Sequence, residues 1–499
     1  MAAASSTPAP MPESVTGIDL MRGIGAVEAK GFWEDAWGRV LRRPGAVLAL
    51  VWISAVAFFA VFSPLLANGL PIWTERIGGD GAVLDSWSPL WRHLSAADLL
   101  LLFGTLIGVP WVALPLPVPR STRLGMLLIA ALQAGFVVAI GSGISAWSRG
   151  SGAPTWLFEI GRESWFPLAT AGGLAAFFAA IAFFVPSCDS RLGRAAAVLV
   201  VAIGATYLVV DRWIDPLVDY DAFIEGGEAG TLHNDWTLVP WSPNQSRSDL
   251  YLVEPGRPLD EKLGVGGEFG ARSFVMGSDA VGRDVLSQMM HACRLSISVG
   301  LVSTGIAVMI GVTIGSLMGY FGGKVDLLLY RVVEVFMAIP VLFLLIVAAA
   351  VLPRNTYVMM AIIGCVSWTG SARFIRAEFL RMRSQDFVQS ARAVGLPLHS
   401  ILFKHMLPNG VTPVLVDASF AIAAAILAEA TLSFLGLGPE GQASWGKLLA
   451  SATNTTGTFV WWLAIFPGLA IFLTVLSYNM LGEALRDAID PKLRKAAQA

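Results

Sequence analysis

The sequence predicts an all-α polytopic membrane protein, a helical bundle of about ten transmembrane spans. Two observations carry that fold class. Hydrophobic residues make up 55% of the 499 positions and charged residues only 14%, with a mean hydropathy of +0.66, whereas a soluble domain carries about 25% charged residues. Apolar runs of about 20 residues recur along the chain, each long enough to cross a hydrocarbon core about 30 Å thick. Short alternating segments of the kind that build membrane barrels are missing from these runs.

Residues 1–45 read as a cytoplasmic tail. Met1 to Lys30 is rich in Ala, Ser and Pro and lacks the apolar core of a cleaved signal peptide. The first run, Ala46–Ala67, follows Arg39, Arg42 and Arg43, so the positive-inside rule directs this helix outward. Region 68–210 holds four further runs, Ala97–Leu116, Leu124–Ile144, Pro167–Pro186 and Ala195–Val210. Arg120, Arg123, Arg191 and Arg194 then fall in cytoplasmic connections, while Arg76, Arg92, Arg149 and Arg162 fall outside. Region 211–292 turns polar, with Asp215-Pro216 and Trp241-Ser242-Pro243-Asn244, and is expected to be external and loop-rich. Region 293–482 contains the remaining runs, Leu295–Tyr320, Leu327–Leu352, Tyr357–Phe374, Val411–Leu437 and Phe459–Leu481. Arg381, Arg383, Arg392 and Lys404 mark a long cytoplasmic loop near 381–411, and Arg486, Lys492, Arg494 and Lys495 mark a cytoplasmic tail at 483–499. A multi-pass protein of the plasma membrane with both termini inside is expected.

The chemistry expected of this chain is limited. No GxxxxGK[ST] loop occurs to cradle a nucleotide phosphate, and neither HExxH nor GxSxG is present. Cys188, Cys293 and Cys365 are far apart, as are His93, His233, His291, His399 and His405, so no disulfide framework, metal site or catalytic centre is suggested. The net charge of -2 gives no sign of a nucleic-acid partner. An ATP-driven transport subunit, an ion-driven secondary transporter and an intramembrane hydrolase are the classes to separate. Secondary transporters place ionisable residues and broken helices in related repeats near mid-bilayer, and no such pair of halves is visible.

The most informative stretch is Gln389-Ser390-Ala391-Arg392-Ala393-Val394-Gly395, followed by His405-Met406-Leu407-Pro408-Asn409. It resembles the EAA loop of binding-protein-dependent ABC importers, a helix, a Gly turn and a second helix that fit a groove on the ATPase subunit. Ala391 and Ala393 are small, Gly395 permits a turn closed to other residues, and Arg392 offers a fork for a carboxylate. The family's leading Glu-Ala is Gln389-Ser390 here, and His405 stands at an aliphatic position. Gly277-Ser278-Asp279 with Gly282-Arg283-Asp284 is similar to the Gly-Thr-Asp…Gly-Arg-Asp segment of the dipeptide, oligopeptide and nickel branch. Gly319-Tyr320-Phe321-Gly322-Gly323, Ala338-Ile339-Pro340, Glu429-Ala430-Thr431-Leu432-Ser433-Phe434-Leu435-Gly436, Ser444-Trp445-Gly446, Phe466-Pro467-Gly468 and Leu485-Arg486-Asp487 follow the branch's pattern in order.

The resemblance implies a type I importer permease core in the C-terminal half and alternating access driven by two ATPase subunits that hold ATP and Mg. It also implies a second permease, related rather than identical, and an external binding protein. Peptide is expected rather than nickel, since no His or carboxylate cluster suits a metal. The spans between Asn68 and Tyr207 depart from the family's usual single loop. Asp279, Arg283 and Asp284 are expected to form an external ion-paired cluster, structural or receptive to the binding protein. Glu429 lies inside an apolar run, either lining the pathway or capped or snorkelling near the outer surface. Glu334 raises the same question beside Arg331. Gly300, Gly305, Gly311, Gly315 and Gly319 either pack helices closely or let them slide.

Overall fold

The computed structural model describes residues 32–114, 218–259, 272–454 and 459–489, together with isolated helical positions between 123 and 204. The chain enters through α1 (Phe32–Val40) and α2 (Pro44–Leu66). Pro44 sits in the first turn of α2, where its fixed φ and missing N–H suit a helix start. Beyond α2 come β1 (Trp73–Ile77), β2 (Val83–Trp87), α3 (Pro89–His93) and α4 (Ala96–Ala113). Ser95 and Asp98 close a capping box at the start of α4. After the incompletely described stretch follow α5 (Tyr220–Glu228) and β3 (Leu232–Asp235).

The strands form one antiparallel sheet in the order β2-β1-β3, and only the four-residue β3 lies in the segment 211–292 expected to be loop-rich. β1 pairs with residues far along the chain, and Thr74 donates to the Asn234 side chain at 2.9 Å. Such a pairing of short, distant strands leaves no local sequence signal.

The central element is α6 (Val285–Phe321), 37 residues long. At 1.5 Å per residue it extends about 55 Å, well beyond a 30 Å core, so one end projects from the membrane. Its start at Val285 corrects the expected boundary at Leu295, because Asp284 caps it through the Ser287 N–H at 2.7 Å. Next come α7 (Gly323–Ala338) and α8 (Val341–Val351), bent by 82° around Ile339-Pro340. α9 (Thr356–Ser367) and α10 (Thr369–Met382) are bent by 42°. α11 (Asp386–Ala393), a π-helical turn (Ser400–Met406) and α12 (Leu407–Gly410) lead into α13 (Thr412–Phe434), α14 (Trp445–Asn454) and α15 (Trp461–Ile489).

Among the described residues five helices are long and apolar enough to cross a membrane, or up to seven if each bent pair is one span. The expected runs Leu124–Ile144, Pro167–Pro186 and Ala195–Val210 lie outside the described residues except for isolated positions. Helix α14 was not anticipated between the last two runs; it is too short to span and packs on α13 and α15.

Two ends of the bundle are defined by contacts across it. At one, Arg43 pairs with Asp487 at 2.7 Å, and α1 packs on the last turns of α15 through Ala36, Val40, Ala484 and Ala488. The end of α6 and the loop after α10 lie at this same end, since Arg392 reaches Tyr320 and Gly410 abuts Met382. At the opposite end, His291 bonds the Ala67 carbonyl at 2.9 Å, Arg294 donates to the Ala60 carbonyl at 2.9 Å, and Arg294 also pairs with Asp98. The sheet, the segment around Ser278 and helix α14 belong to this second end.

Between the ends, α6 packs on α2, α9, α10 and α13. A Cβ added at Gly311, Gly315 or Gly319 would lie 2.7 Å from the Trp368 carbonyl, 2.5 Å from the Ala372 carbonyl and 2.4 Å from the Phe379 Cβ, respectively. These glycines therefore bring the backbones of α6 and α10 into contact. Gly305 faces open space, with nothing within 4 Å. Gly315→Ala is expected to destabilise the purified protein by about 1–3 kcal/mol through overpacking, whereas Gly305→Ala stays neutral or gains from helix propensity. Thermal unfolding of both variants in the same detergent checks this.

Candidate functional site

The loop between α10 and α13 is a hairpin with two unlike faces. Helix α11 buries Val388 and Ala391 and leaves Gln389, Ser390, Arg392 and Ala393 exposed, as its short amphipathic pattern requires. Gly395 has φ +76° and stops the helix. Its N–H donates to the Arg392 carbonyl at 2.9 Å, and the Leu396 N–H reaches back to Ala391 at 3.2 Å, completing a Schellman turn. The return leg is π-helical from Ser400 to Met406 and tightens to α-helix at Leu407. Pro408 accounts for the widening, because it has no N–H for the Lys404 carbonyl and its ring would crowd that group.

The inner face is keyed into the membrane helices. Val388, Ala391, Ile401, Leu402 and Met406 share one cluster with Val312 of α6, Ile375, Phe379 and Met382 of α10, and Val414 of α13. Polar ties reinforce it: Arg376 grips Asp326 through two hydrogen bonds of 2.5 and 2.8 Å, and Gln389 donates to the Arg383 carbonyl at 3.1 Å. The Arg392 guanidinium lies over the Tyr320 ring at 4.5 Å and donates to its hydroxyl at 3.1 Å. The expected carboxylate fork is thus held by an aromatic of this same chain, with Arg392 still exposed. The outer face presents Val394 at 77% exposure, with Phe387, Leu398 and Phe403 also exposed. These side chains make the outer face apolar and exposed.

At the opposite end, Gly277, Asp279, Gly282, Arg283 and Asp284 form a tight turn ahead of α6. Gly282 has φ +75°, and a Cβ there would fall 1.7 Å from the Arg247 carbonyl, so only glycine fits. Gly277, at φ +81°, is equally enclosed by the Val253 carbonyl and Trp462. Asp279 is buried and accepts from the Val281 and Arg283 N–H groups, the Arg283 guanidinium at 2.8 Å and Gln288 at 3.1 Å. The expected three-membered ion cluster is corrected: among the described residues Asp284 has no ion pair, and it serves as the helix cap. Burial pushes its carboxyl up to about 7, against the backbone N–H groups of Ser287 and Leu286 that favour its anion.

Glu429 of α13 is fully buried. Its Oε1 accepts from Ser433 at 2.7 Å and Ser444 at 2.8 Å, and its Oε2 has no partner among the described residues. In this conformation it is internal, neither lining an open passage nor snorkelling outward. Lys447 donates instead to the Pro439 and Gln442 carbonyls. The adjacent Ser444-Trp445-Gly446 segment seats α14 on α13, where a Cβ on Gly446 would strike the Ala430 carbonyl and Trp445 donates to Met289 at 3.2 Å. Glu334, in contrast, is exposed and pairs with Arg331 at 2.6 Å.

Residues 311–495, which include the whole loop hairpin and Glu429, match the model for the inner membrane component of binding-protein-dependent transport systems. Residues 31–72 match the N-terminal transmembrane domain of oligopeptide transport permease C. The chain is 38% identical over 219 residues to the oligopeptide transport system permease protein of Haemophilus influenzae, spanning 44% of this chain and 70% of that one. It is 34% identical over 261 residues to the di/tripeptide transport system permease protein of Pseudomonas aeruginosa, spanning 52% and 83%. This chain belongs to the family of binding-protein-dependent transport permeases.

The permease is a multi-pass inner-membrane transport subunit. Gly395 stands at the turn of the hairpin, as the motif around it leads one to expect. Sequence reasoning missed Asp417, a carboxylate inside α13 that accepts from Ser371 at 3.1 Å; a charge within an apolar run was the available signal. For the permease, Glu429→Gln keeps an acceptor for both hydroxyls and is expected to cost under about 1 kcal/mol. Glu429→Leu strands two buried hydroxyls and is expected to cost about 1–3 kcal/mol. Thermal unfolding at equal membrane abundance separates the two variants.

Proposed function

We propose that this permease imports peptides of the dipeptide and oligopeptide class by alternating access, driven by two separate ATPase subunits that dock on the loop hairpin. The observation that carries the reading is the two-faced hairpin: an exposed apolar outer surface around Val394, and an inner face packed into α6, α10 and α13. A push on the outer face reaches three membrane helices through close-packed side chains, which transmit displacement because interiors have few voids. ATP and Mg belong on the partner chains. The relatives described above are peptide permeases by name, which supports peptide as substrate.

In this reading the hairpin end is cytoplasmic, together with the α1 and α15 ends. The Gly277–Asp284 end then faces the external binding protein. A second, related permease completes the pathway, and the exposed apolar faces of the spans meet it or lipid. The orientation puts the loop around Ser121, which lies outside the described residues, in the cytoplasm, and Asn234 of β3 outside.

Ala393→Glu is expected to leave membrane abundance normal. At a packed docking surface it costs about 1–3 kcal/mol, or roughly a 5- to 150-fold loss of ATPase affinity, and abolishes substrate-stimulated ATP hydrolysis. Gly395→Arg adds strain at a positive φ and has the same outcome. Copurification and uptake assays decide; normal values in both variants would remove the hairpin from the coupling route. Single cysteines at positions 121 and 234 check the orientation. An impermeant thiol reagent on spheroplasts is expected to label position 234 and spare position 121, and the reverse pattern would invert the topology.

A further inference from the structure

We infer that Asp417, held by Ser371 at the break between α9 and α10, receives the terminal ammonium of the peptide during translocation. This rests on the peptide-import reading above and adds a residue that reads the substrate within the membrane. The segment Thr356–Met382 bends by 42° between Ser367 and Thr369, close to its middle. Just past the break, Ser371 is buried and its hydroxyl donates to Asp417 Oδ2 at 3.1 Å. Gly370 leaves the start of α10 bare beside this carboxylate: a Cβ there would lie 3.4 Å from Asp417 Oδ2 and meet nothing closer.

Three features distinguish this group from Glu429 and Asp326. Glu429 is sealed inside the protein, whereas Asp417 is partly exposed. Asp326 is matched by Arg376, whereas Asp417 has no ion pair among the described residues. Arg373 is near enough to act on it electrostatically but does not touch it, and Asp417 Oδ1 accepts no hydrogen bond from a described residue. A carboxylate inside an apolar span costs roughly 2.5–3.5 kcal/mol on insertion scales, so it faces water or a polar partner rather than lipid tails. An ammonium offers three N–H donors and the missing charge, and every unblocked peptide carries one.

The complete importer, reconstituted in vesicles with its ATPases, second permease and excess loaded binding protein, provides the test. Uptake of a labelled tripeptide with a free amino terminus is compared for wild type, Asp417→Asn, Asp417→Glu and Ser371→Ala. Asp417→Asn is expected to slow uptake at least about tenfold, as for loss of one charge-assisted hydrogen bond, while Asp417→Glu retains most of the rate. Ser371→Ala, which removes a support but not the charge, is expected to lose less than about threefold. Copurified ATPase and second permease are expected to be unchanged in all three. Asp417→Asn uptake within about twofold of wild type overturns the inference, being less than one neutral hydrogen bond is worth. Loss of the second permease from Asp417→Asn also overturns it, by assigning the carboxylate to a contact between subunits. A wild-type complex that hydrolyses ATP yet imports no peptide defeats the peptide reading itself, a separate outcome.

Discussion

The contact between α6 and α10 is the constraint on which the rest of this permease depends. Gly311, Gly315 and Gly319 recur at four-residue spacing on one face of α6, and each meets backbone or Cβ atoms of the α9–α10 segment. Lipid tails are as apolar as leucine, so spans gain little by hiding hydrophobic surface from them and must instead pack closely. Bare backbone on α6 lets α10 approach, and α10 in turn positions the hairpin that follows it. A side chain at any of the three would move the hairpin with α10.

The hairpin inherits rigidity from this contact and adds its own. The Schellman turn at Gly395 fixes the angle between its legs, and the shared cluster of Phe379, Met382, Val388, Leu402 and Met406 fixes both legs to the spans. The π-helical return leg ahead of Pro408 is the irregular element, a local widening of the kind frequent at functional sites. At the far end of the bundle, α6 projects beyond the core and gathers the turn at Gly282, the ion pair of Arg294 with Asp98, and Trp445 of α14. One long helix thus joins the two ends and gives each a defined position relative to the other.

The spans of the C-terminal half were legible because long charge-poor runs have few alternative folds, and the hairpin was legible because its residues resemble a known family loop and Gly395 permits a turn closed to other residues. The glycines at 277 and 282 were visible only as part of a family-like segment, and their positive φ emerges from the structure. The sheet was not legible, since β1 and β3 are short and 155 or more residues apart in the chain, with pairing set by tertiary contacts. The start of α6 at Val285 was missed because its projecting turns are amphipathic rather than apolar and looked like loop. Burial of Glu429 was equally invisible: Ser433 is one helical turn away, but Ser444 comes from a different element. The contact of Arg392 with Tyr320, 72 positions earlier, leaves no signal in the local sequence.

Cross-linking at the hairpin's most exposed apolar position tests the central claim most directly. A single cysteine at Val394, in an otherwise cysteine-free permease coexpressed with its ATPase, is to be treated with a short thiol-to-amine reagent in membranes, with a cysteine at Ala82 in the β1–β2 turn as control. The account predicts a permease–ATPase adduct from position 394, sensitive to nucleotide, and none from position 82. An adduct from position 82 with none from 394, at equal expression, would contradict it.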